Sequence, residues 1–258
     1  MNDLKHIIKD FDTISLKKMD KVRLMDRIDT KFIFSYKQLP GILKEASVNY
    51  SILEEKAGSI FTYNNLYFDT PEFDMYTVHH NRHLNRYKVR FREYVDSEKK
   101  FLEVKFKNNK RRTIKSRIER PVFEDALIGE SADFINQLVP YKAKNLIPRI
   151  QNRFNRLTLV HKTVKERITI DTGLQFTGNG KEYKLPFLAI AEVKYSRSSS
   201  RSDFIDLLLE HRIFPQGLSK YLLGVVLTYP GVKYNRYKPK LLTLKQISHG
   251  KFNHQLIS

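Results

Sequence analysis

Polar and apolar residues alternate with a period of two between positions 86 and 107, apart from a polar turn at 96–99. Successive side chains of a β-strand point to opposite faces of its sheet. One face therefore carries charged side chains, namely Arg86, Lys88, Arg90, Arg92, Glu103, Lys105 and Lys107. The other face carries Tyr87, Val89, Phe91, Leu102, Val104 and Phe106. The pattern predicts a β-hairpin that is basic on one face and apolar on the other.

The rest of the chain divides into further strands and helices. Their β-branched and aromatic content predicts strands at 27–34, 62–70, 112–120, 149–162, 165–172 and 187–197. Helical spacing predicts helices within 1–25, 36–47, 124–141 and 202–211 and from 220 onward, with a short helix or crossing loop at 72–83. Gly178-Asn179-Gly180 predicts a hairpin turn, because Asn and Gly tolerate positive φ. Residues 230–258 are basic with little apolar periodicity, which predicts a loose tail.

About eight strands with helices between them predict an α+β fold, in which an antiparallel eight-stranded β-barrel is flanked by helices. If the apolar faces pack outward against the helices, the charged faces point inward. A dry interior would cost several kcal/mol for each unpaired charge, so the interior must be wet or filled by a polyanion. The alternative is an ordinary amphipathic sheet whose polar face lies in water. With no repeat or flexible linker, residues 1–258 are expected to form one domain with a core at about 22–229.

Charge narrows the class of partner. The chain of 258 residues has 47 Lys and Arg against 28 Asp and Glu, a net charge of +19. Nucleic acid, an acidic membrane surface and a polyanionic small substrate all suit such a charge. The absence of cysteine excludes disulfides and thiolate metal sites. No apolar run reaches the roughly 20 residues of a membrane span, and 1–18 lacks a signal-peptide core, so a soluble cytoplasmic protein is expected.

Three carboxylates are candidate ligands of a metal ion. Asp29, Glu103 and Glu192 each lie two residues from a lysine on the same strand face. Carboxylates of this kind suit Mg²⁺ or Mn²⁺, and phosphoryl transfer needs such a metal together with cations on the phosphate oxygens. Cross-strand salt bridges are the alternative interpretation of the same pairs. Lys88, Lys115 and Lys194 share these charged faces and are candidate phosphate ligands.

Other motifs favour structural interpretations. His79-His80-x-x-His83 has no carboxylate or thiol at a matching spacing, which disfavours a metal site. Asn179-Gly180-Lys181 lacks the length and hydroxyl of a phosphate loop and is interpreted as a turn. The basic run at 110–117 could bind nucleic acid, but its alternation favours a strand face. No nucleic-acid partner is therefore expected.

Several motifs together resemble the VTC (vacuolar transporter chaperone) domain, a branch of the triphosphate tunnel metalloenzymes. The matching pieces are RIDTKF at 27–32, LYFDT at 66–70, KVRFREY at 88–94, FLEVK at 101–105, PRIQNRFNR at 148–156, ERITID at 166–171, AEVK at 191–194 and SKYLLG at 219–224. Two positions depart from the pattern. The E-x-E-x-K of the wider superfamily is here Arg27-x-Asp29-x-Lys31, and Phe154 replaces a tyrosine. Strict alternation does not place Arg153 and Arg156 on one face, and Arg156 is expected to point inward.

The resemblance implies a barrel tunnel that makes polyphosphate from ATP with Mn²⁺ or Mg²⁺. It implies catalytic phosphate contacts from Arg90, Arg92, Lys105, Arg156, Arg167 and Lys220. Further phosphate contacts are expected from Arg27, Lys31, Arg82, Lys88, Lys115 and Lys194. Glu192 would be the main metal ligand, assisted by Glu103, whereas a metal role for Asp29 is weakened by the departure at that strand. ATP, triphosphate or polyphosphate are the expected partners.

Three alternatives to a polymerase stay open: a triphosphatase of the same fold, a sensor that binds polyphosphate or nucleotide without turnover, and a nucleic-acid binder. The sequence leaves the oligomeric state and a membrane-protein partner undetermined.

Overall fold

The computed structural model describes residues 2–21, 27–110, 112–197, 201–252 and 254. Within them the strands are β1 Asp12–Ile14, β2 Arg27–Ser35, β3 Tyr50–Leu53, β4 Phe61–Asp69, β5 Arg86–Tyr94, β6 Lys99–Lys107, β7 Thr113–Arg120, β8 Ile147–His161, β9 Glu166–Gly178, β10 Lys181–Leu185 and β11 Leu188–Ser196. The α-helices are α1 Asn2–Ile8, α2 Leu16–Lys21, α3 Leu39–Ala46, α4 Asp74–His80, α5 Gly129–Leu138, α6 Asp203–Glu210, α7 Lys220–Thr228 and α8 Lys238–Ile247.

Eight of these strands form one antiparallel sheet in the order β2-β11-β9-β8-β4-β5-β6-β7. The short strands β1, β3 and β10 attach at its side. The predicted α+β class with an antiparallel sheet and flanking helices is confirmed. The path begins at β2 and ends at β7, and no pairing joins these two among the described strands. The barrel is therefore open along this seam in its hydrogen bonding.

The predicted hairpin at 86–107 is present, and its apolar face packs outward. Val89, Phe91, Leu102 and Val104 are buried in a cluster that also contains Ile135 of α5. Further along the sheet, α3 and α6 cover outward apolar residues of β2, β8, β9 and β11. Each Å² of apolar surface that these contacts remove from water stabilises the fold by about 25 cal/mol. Because the outward apolar faces of these strands pack against the helices, their charged faces line the interior.

Helix α7 packs closely on the sheet. All nine of its residues except Lys220 are buried. A Cβ atom added to Gly224 would lie 2.6 Å from Ile150 and 2.9 Å from Phe176, so only glycine allows this approach. The contact fixes the position of the start of the helix, where Lys220 lies.

The expectation of a loose tail at 230–258 is wrong for the described residues. Helix α8 buries Leu241 and Leu244, and Tyr237 and Phe252 join the same cluster as α7. The apolar stripe of α8 is short and lies among basic residues, so it gives no clear helical periodicity in the sequence. Its burial against α7 supplies the stability that the local pattern lacks.

Two further differences concern strands. Strands β1 and β3 were not predicted, and both are short. Strand β9 continues to Gly178, beyond the predicted end at 172, through a register shift opposite Arg153 and Asn155. The predicted turn follows, with φ of 49° at Asn179 and 68° at Gly180. None of the described helices has the length and apolar character needed to cross a membrane.

Candidate functional site

Glu103 gathers three cations on the hairpin and its neighbouring strand. Register places it opposite Arg90 in β5 and Arg117 in β7. The Arg90 Nε donates to Glu103 Oε2 at 2.7 Å, and Lys115 Nζ lies 2.5 Å from Oε1. Arg92 Nε lies 3.9 Å from the same carboxylate. Burial by itself would raise the pKa of Glu103, but the adjacent cations lower it to about 2. Glu103 is therefore an ionised carboxylate that positions arginines.

A second cluster joins β8, β9 and α7 around Asp171. Arg156 donates from Nε to Oδ1 at 2.6 Å and from Nη2 to Oδ2 at 2.8 Å. Lys220 Nζ contacts Oδ2 and lies 4.4 Å from the centre of the Phe154 ring. The Asp171 side chain is only 4% exposed, and although burial opposes its charge, Arg156 and Lys220 hold its pKa well below the ordinary value. The expectation that Arg156 points inward is confirmed.

Arg156 reaches the interior by simple alternation along β8. The pairing of β8 with β4 is continuous from Asn64 opposite Arg153 to Phe61 opposite Arg156, so the two arginines point to opposite faces of the sheet. The extra residue of the register shift between β8 and β9 lies in β9. Arg153 is exposed, whereas Arg156 is held by Asp171.

The third cluster surrounds Glu192 at the pairing of β11 with β2. Lys31 contacts Oε1, and Lys194 Nζ lies 2.6 Å from Oε2. Burial lowers the pKa of Lys194 to about 8, although Glu192 opposes the shift. Both oxygens of Glu192 therefore face ammonium groups.

Tyrosines of β4 connect the clusters. The Arg92 guanidinium lies 5.3 Å from the centre of the Tyr63 ring, and that of Arg156 lies 4.9 Å from the same ring. Arg90 donates to the Tyr67 hydroxyl at 3.3 Å, while Arg92 donates to Asn65 Oδ1 at 2.9 Å. Sequence reasoning did not identify Tyr63, Asn65, Tyr67 or Asp171 as site residues. The signal that could have found them is alternation: Tyr63, Asn65 and Tyr67 share one face of β4, and Asp171 shares the face of Arg167 in β9.

The clusters act on one another electrostatically. The pKa of Lys88 is far below its ordinary value because of burial and then because of Lys105, Arg90, Arg86 and Lys31. Similarly, Arg156 adds to the burial that lowers the pKa of Lys194. Charges in a partly dry interior are screened less than exposed charges, so cations of one cluster affect the ionisation of groups in another.

Two cavities lie along this interior. The inner cavity, about 30 Å³, is lined by Tyr67, Lys88, Arg90, Glu103, Lys105 and Lys115. The outer cavity, about 640 Å³, has lining residues that include the predicted phosphate ligands Lys31, Arg82 and Lys88. Lys88 borders both and donates from Nζ to Ser219 Oγ at 3.1 Å.

The remaining predicted residues lie outside these clusters. Arg167 lies opposite Lys194 in the pairing of β9 with β11 and is half-buried. Arg27 and Asp29 pair with each other at 3.0 Å, and their side chains are 40% and 37% exposed.

Each of the three candidate metal carboxylates contacts a cation of the protein. Glu103 is engaged by Arg90 and Lys115, and Asp29 by Arg27. Within the described ranges, no three His, Asp or Glu side chains lie where they could hold a metal ion together, and this includes the run from His79 to His83. Mg²⁺ is commonly held by one or two carboxylates together with substrate phosphates. The Glu192 side chain is 22% exposed, against 2% for Glu103, which makes Glu192 the more accessible of these two carboxylates.

The antiparallel sheet thus has an interior lined with arginine, lysine and paired carboxylates. The VTC domain model matches residues 26–229, so the chain belongs to the VTC domain family. This confirms the resemblance drawn from the sequence and, with it, the triphosphate tunnel fold.

The chain is also similar to several solved structures. It is similar to a candidate adenylate cyclase of Bacillus halodurans, at 12% identity and a TM-score of 0.49 over 77% of this chain and 96% of that one. It is also similar to a candidate adenylyl cyclase of Hippeastrum with a dominant triphosphatase activity, at 15% identity and a TM-score of 0.48 over 78% and 96%. A candidate adenylate cyclase of Vibrio parahaemolyticus has 11% identity and a TM-score of 0.46 over 77% and 97%. No curated protein sequence matches the chain.

Proposed function

We propose that this protein is a metal-dependent polyphosphate polymerase. In this reaction a terminal oxygen of the polyphosphate chain forms a bond to the γ-phosphorus of ATP. The bond between that phosphorus and the β,γ-bridging oxygen breaks, and ADP leaves. The observation that carries the proposal is the convergence of Arg156 and Lys220 on Asp171, inside a basic tunnel of a VTC-family chain.

The arginines suit the phosphate oxygens. Arg90 and Arg156 are already oriented by Glu103 and Asp171, so little ordering remains when phosphate binds. Arginine offers paired donors to phosphate oxygens, and such fixed donors stabilise the charge that spreads over a transferring phosphoryl group. Arg92 lies between these two arginines, over Tyr63, and extends the same row. Lys105 lines the inner cavity beside Arg90.

Lys220 has a distinct role. It begins helix α7, and the side chain of Ser219 caps the helix by accepting from the Leu222 amide. The partial positive charge of a helix start attracts phosphate. Lys220 adds a flexible cation there, which can follow the phosphoryl group from ATP to the chain end. On phosphate binding its ammonium exchanges Asp171 for a phosphate oxygen.

Glu192 would hold Mn²⁺ or Mg²⁺ together with phosphate oxygens. The ion would supply positive charge to the phosphates. Lys31 and Lys194, which contact both oxygens of Glu192, would turn to the substrate when the ion binds. Arg167 is proposed as a further contact near Lys194. Arg27, on an exposed pair, is the weakest of the proposed phosphate ligands.

A triphosphatase is the second candidate. The same cations would serve it, with water in place of the polyphosphate end. The observation in its favour is the outer cavity of about 640 Å³, which leaves room for water next to the charged residues. Binding without turnover is the remaining alternative and would need only the cations.

One experiment separates these functions. The protein is incubated with ATP and Mn²⁺ or Mg²⁺, and the products are assayed for polyphosphate on a stained gel and for free phosphate. Glu192→Gln is the matched control. Chains longer than three phosphates support the polymerase, free phosphate alone supports the triphosphatase, and the absence of both products, with strong binding of tripolyphosphate, identifies a sensor.

The ligand class has its own test. Tripolyphosphate should raise the melting temperature strongly through mass action. Duplex DNA is too wide for the tunnel and should bind weakly, whereas tight salt-dependent duplex binding without tripolyphosphate stabilisation would favour the nucleic-acid reading. A cytoplasmic location and a single domain over 1–258 stay predictions.

A further inference from the structure

The outer cavity has an unbalanced charge. Its lining includes seven Lys and Arg side chains, and none of the described lining residues is a carboxylate. This differs from the inner clusters, where Glu103, Asp171 and Glu192 each neutralise neighbouring cations. Lys31 contacts Glu192 of an inner cluster. Cations that are brought together without counter-charges attract an anion.

Two of these cations come from a part of the chain outside the matched family domain. Arg236 and Lys240 line the outer cavity, whereas the family match ends at 229. They flank the buried Tyr237, whose hydroxyl donates to the Ser219 carbonyl at 3.2 Å. Lys240 Nζ lies 4.6 Å from the centre of the Tyr237 ring. The C-terminal segment is thus attached directly to the start of helix α7, one residue from Lys220.

The C-terminal cations converge with those of the hairpin and α4. Burial lowers the pKa of Lys240, and Arg82 lowers it further. His79 lies among them with its Nδ1 buried and without a hydrogen-bond partner. Burial and then Lys88, Arg86 and Lys240 hold its pKa far below the ordinary value, so it stays neutral. These effects place Arg82, Arg86, Lys88 and Lys240 within mutual electrostatic reach around one space.

Lys88 connects this space to the reaction site. It lines both cavities, so a chain of phosphates that extends from the inner cavity passes Lys88 into the outer one. In the proposed reaction the inner cations engage the phosphates of ATP. Any further phosphate of a longer chain meets Arg86, Arg236 and Lys240. Each added phosphate brings another negative charge to cations that repel one another in its absence.

We propose that the outer cavity binds the distal phosphates of a polyphosphate chain, and that Arg236 and Lys240 determine the preference for chains longer than three phosphates. The inference rests on the proposed function, because it places the product chain of that reaction. It assigns to the C-terminal segment a role in chain-length selectivity. Leu218 and Leu222 form an apolar part of the wall, which leaves the cations as the main polar contacts.

The test compares three ligands by calorimetry without metal: tripolyphosphate, ATP and a polyphosphate of several tens of phosphates. The test variant is Arg236→Gln/Lys240→Gln, which leaves the buried Tyr237 in place. Lys233→Ala/Lys238→Ala is the matched control, because it removes the same charge from exposed positions of the same segment. Arg90→Ala tests the inner site. Thermal melting of each variant without ligand establishes that it folds.

We expect the test variant to bind long polyphosphate at least tenfold more weakly, with tripolyphosphate and ATP changed by less than threefold. The control should bind all three ligands as the unmodified protein does, and Arg90→Ala should weaken all three. Equal losses for short and long ligands, no loss, or a loss for ATP alone would overturn the inference while leaving the proposed function standing. If the unmodified protein binds none of the three, both proposals are overturned. Should the double variant fail to fold, the single variants Arg236→Gln and Lys240→Gln give the same comparison.

Discussion

Arg156 and Asp171 form a two-point ion pair, with donor–acceptor distances of 2.6 and 2.8 Å, across neighbouring strands of the tunnel wall. Lys220 contacts the same carboxylate. Under the proposed function, a phosphate group would take the position of Asp171 between these two cations. The carboxylate orients both cations.

Asp171→Asn should separate the contribution of Asp171 to stability from its effect on phosphate binding. Removing one partner of a buried ion pair costs roughly 3–5 kcal/mol, so we expect a lower melting temperature without ligand. Tripolyphosphate should then stabilise the variant more than the unmodified protein, because Arg156 and Lys220 have lost their internal anion. Melting curves with and without tripolyphosphate measure both effects. An unchanged melting temperature together with an equal ligand shift would show that the pair is unimportant.

Glu192→Gln tests the metal assignment. The substitution keeps the shape of the side chain and removes its charge. We expect turnover to fall by more than about 100-fold, since even the outer partners of a metal site contribute about 10- to 100-fold. Binding of tripolyphosphate without metal should persist or improve, because a negative charge has left the ligand's surroundings.

Arg90→Ala is the comparison for Glu192→Gln. Loss of the Arg90 guanidinium should weaken the binding of tripolyphosphate itself, with or without metal. Turnover rates and calorimetry on the two variants distinguish a metal ligand from a phosphate ligand. Full metal-dependent activity in Glu192→Gln would assign Glu192 to ion pairing with Lys31 and Lys194 alone.

Lys220→Ala should lower the catalytic rate by about tenfold or more, which corresponds to roughly 1.4 kcal/mol of transition-state stabilisation. Lys238→Ala carries the same charge change in helix α8, away from the tunnel, and serves as the control. Steady-state rates at saturating ATP measure the effect. Equal small losses in both variants would mean that Lys220 acts only through the overall charge of the protein.

Binding of tripolyphosphate should weaken as the pH rises through about 8. Burial lowers the folded-state pKa of Lys194 from 10.5 to about 8, so the free protein loses this proton before an unfolded chain does. Stability from this group therefore rises between pH 8 and 10.5, while the cation that attracts phosphate is present only below about 8. Bound phosphate favours the ammonium form, so binding near pH 8–9 should take up a proton.

Lys194→Arg should reduce this proton uptake, because arginine stays charged throughout. Calorimetry in two buffers with different ionisation enthalpies counts the protons. The titration of tripolyphosphate itself is common to both proteins and cancels in the comparison. Identical proton uptake would show that Lys194 does not titrate in this range.

The sequence predicted the tunnel wall better than the contacts within it. Alternation at 86–107 was visible because each strand has one continuous apolar face, which α5 covers. Alternation along β8 puts Arg153 and Arg156 on opposite faces, but which of these faces lies inward depends on the pairing of β8 with its neighbouring strands. The three cations on Glu103 come from β5 and β7, and their meeting depends on strand order. A single-strand pattern cannot contain that information.

Lys220 shows the same limit. From the sequence it is a lysine at a helix start, where an exposed side chain is common. In the fold its side chain is 15% exposed, because Gly224 lets α7 approach the sheet and brings Lys220 to Asp171. Its removal therefore changes a buried ion pair, and a modest loss of stability is expected beside the loss of rate.

The outer cavity also affects how a measured dissociation constant of this protein is interpreted. A space lined by cations and by no described carboxylate attracts small anions from solution. Every measured binding event is then an exchange, in which the incoming ligand displaces occupants such as chloride or inorganic phosphate. Dissociation constants will depend on the buffer as much as on the ligand, and a phosphate buffer will behave as a competitor. In a cell, the concentration of free phosphate would set how readily the tunnel accepts its chain.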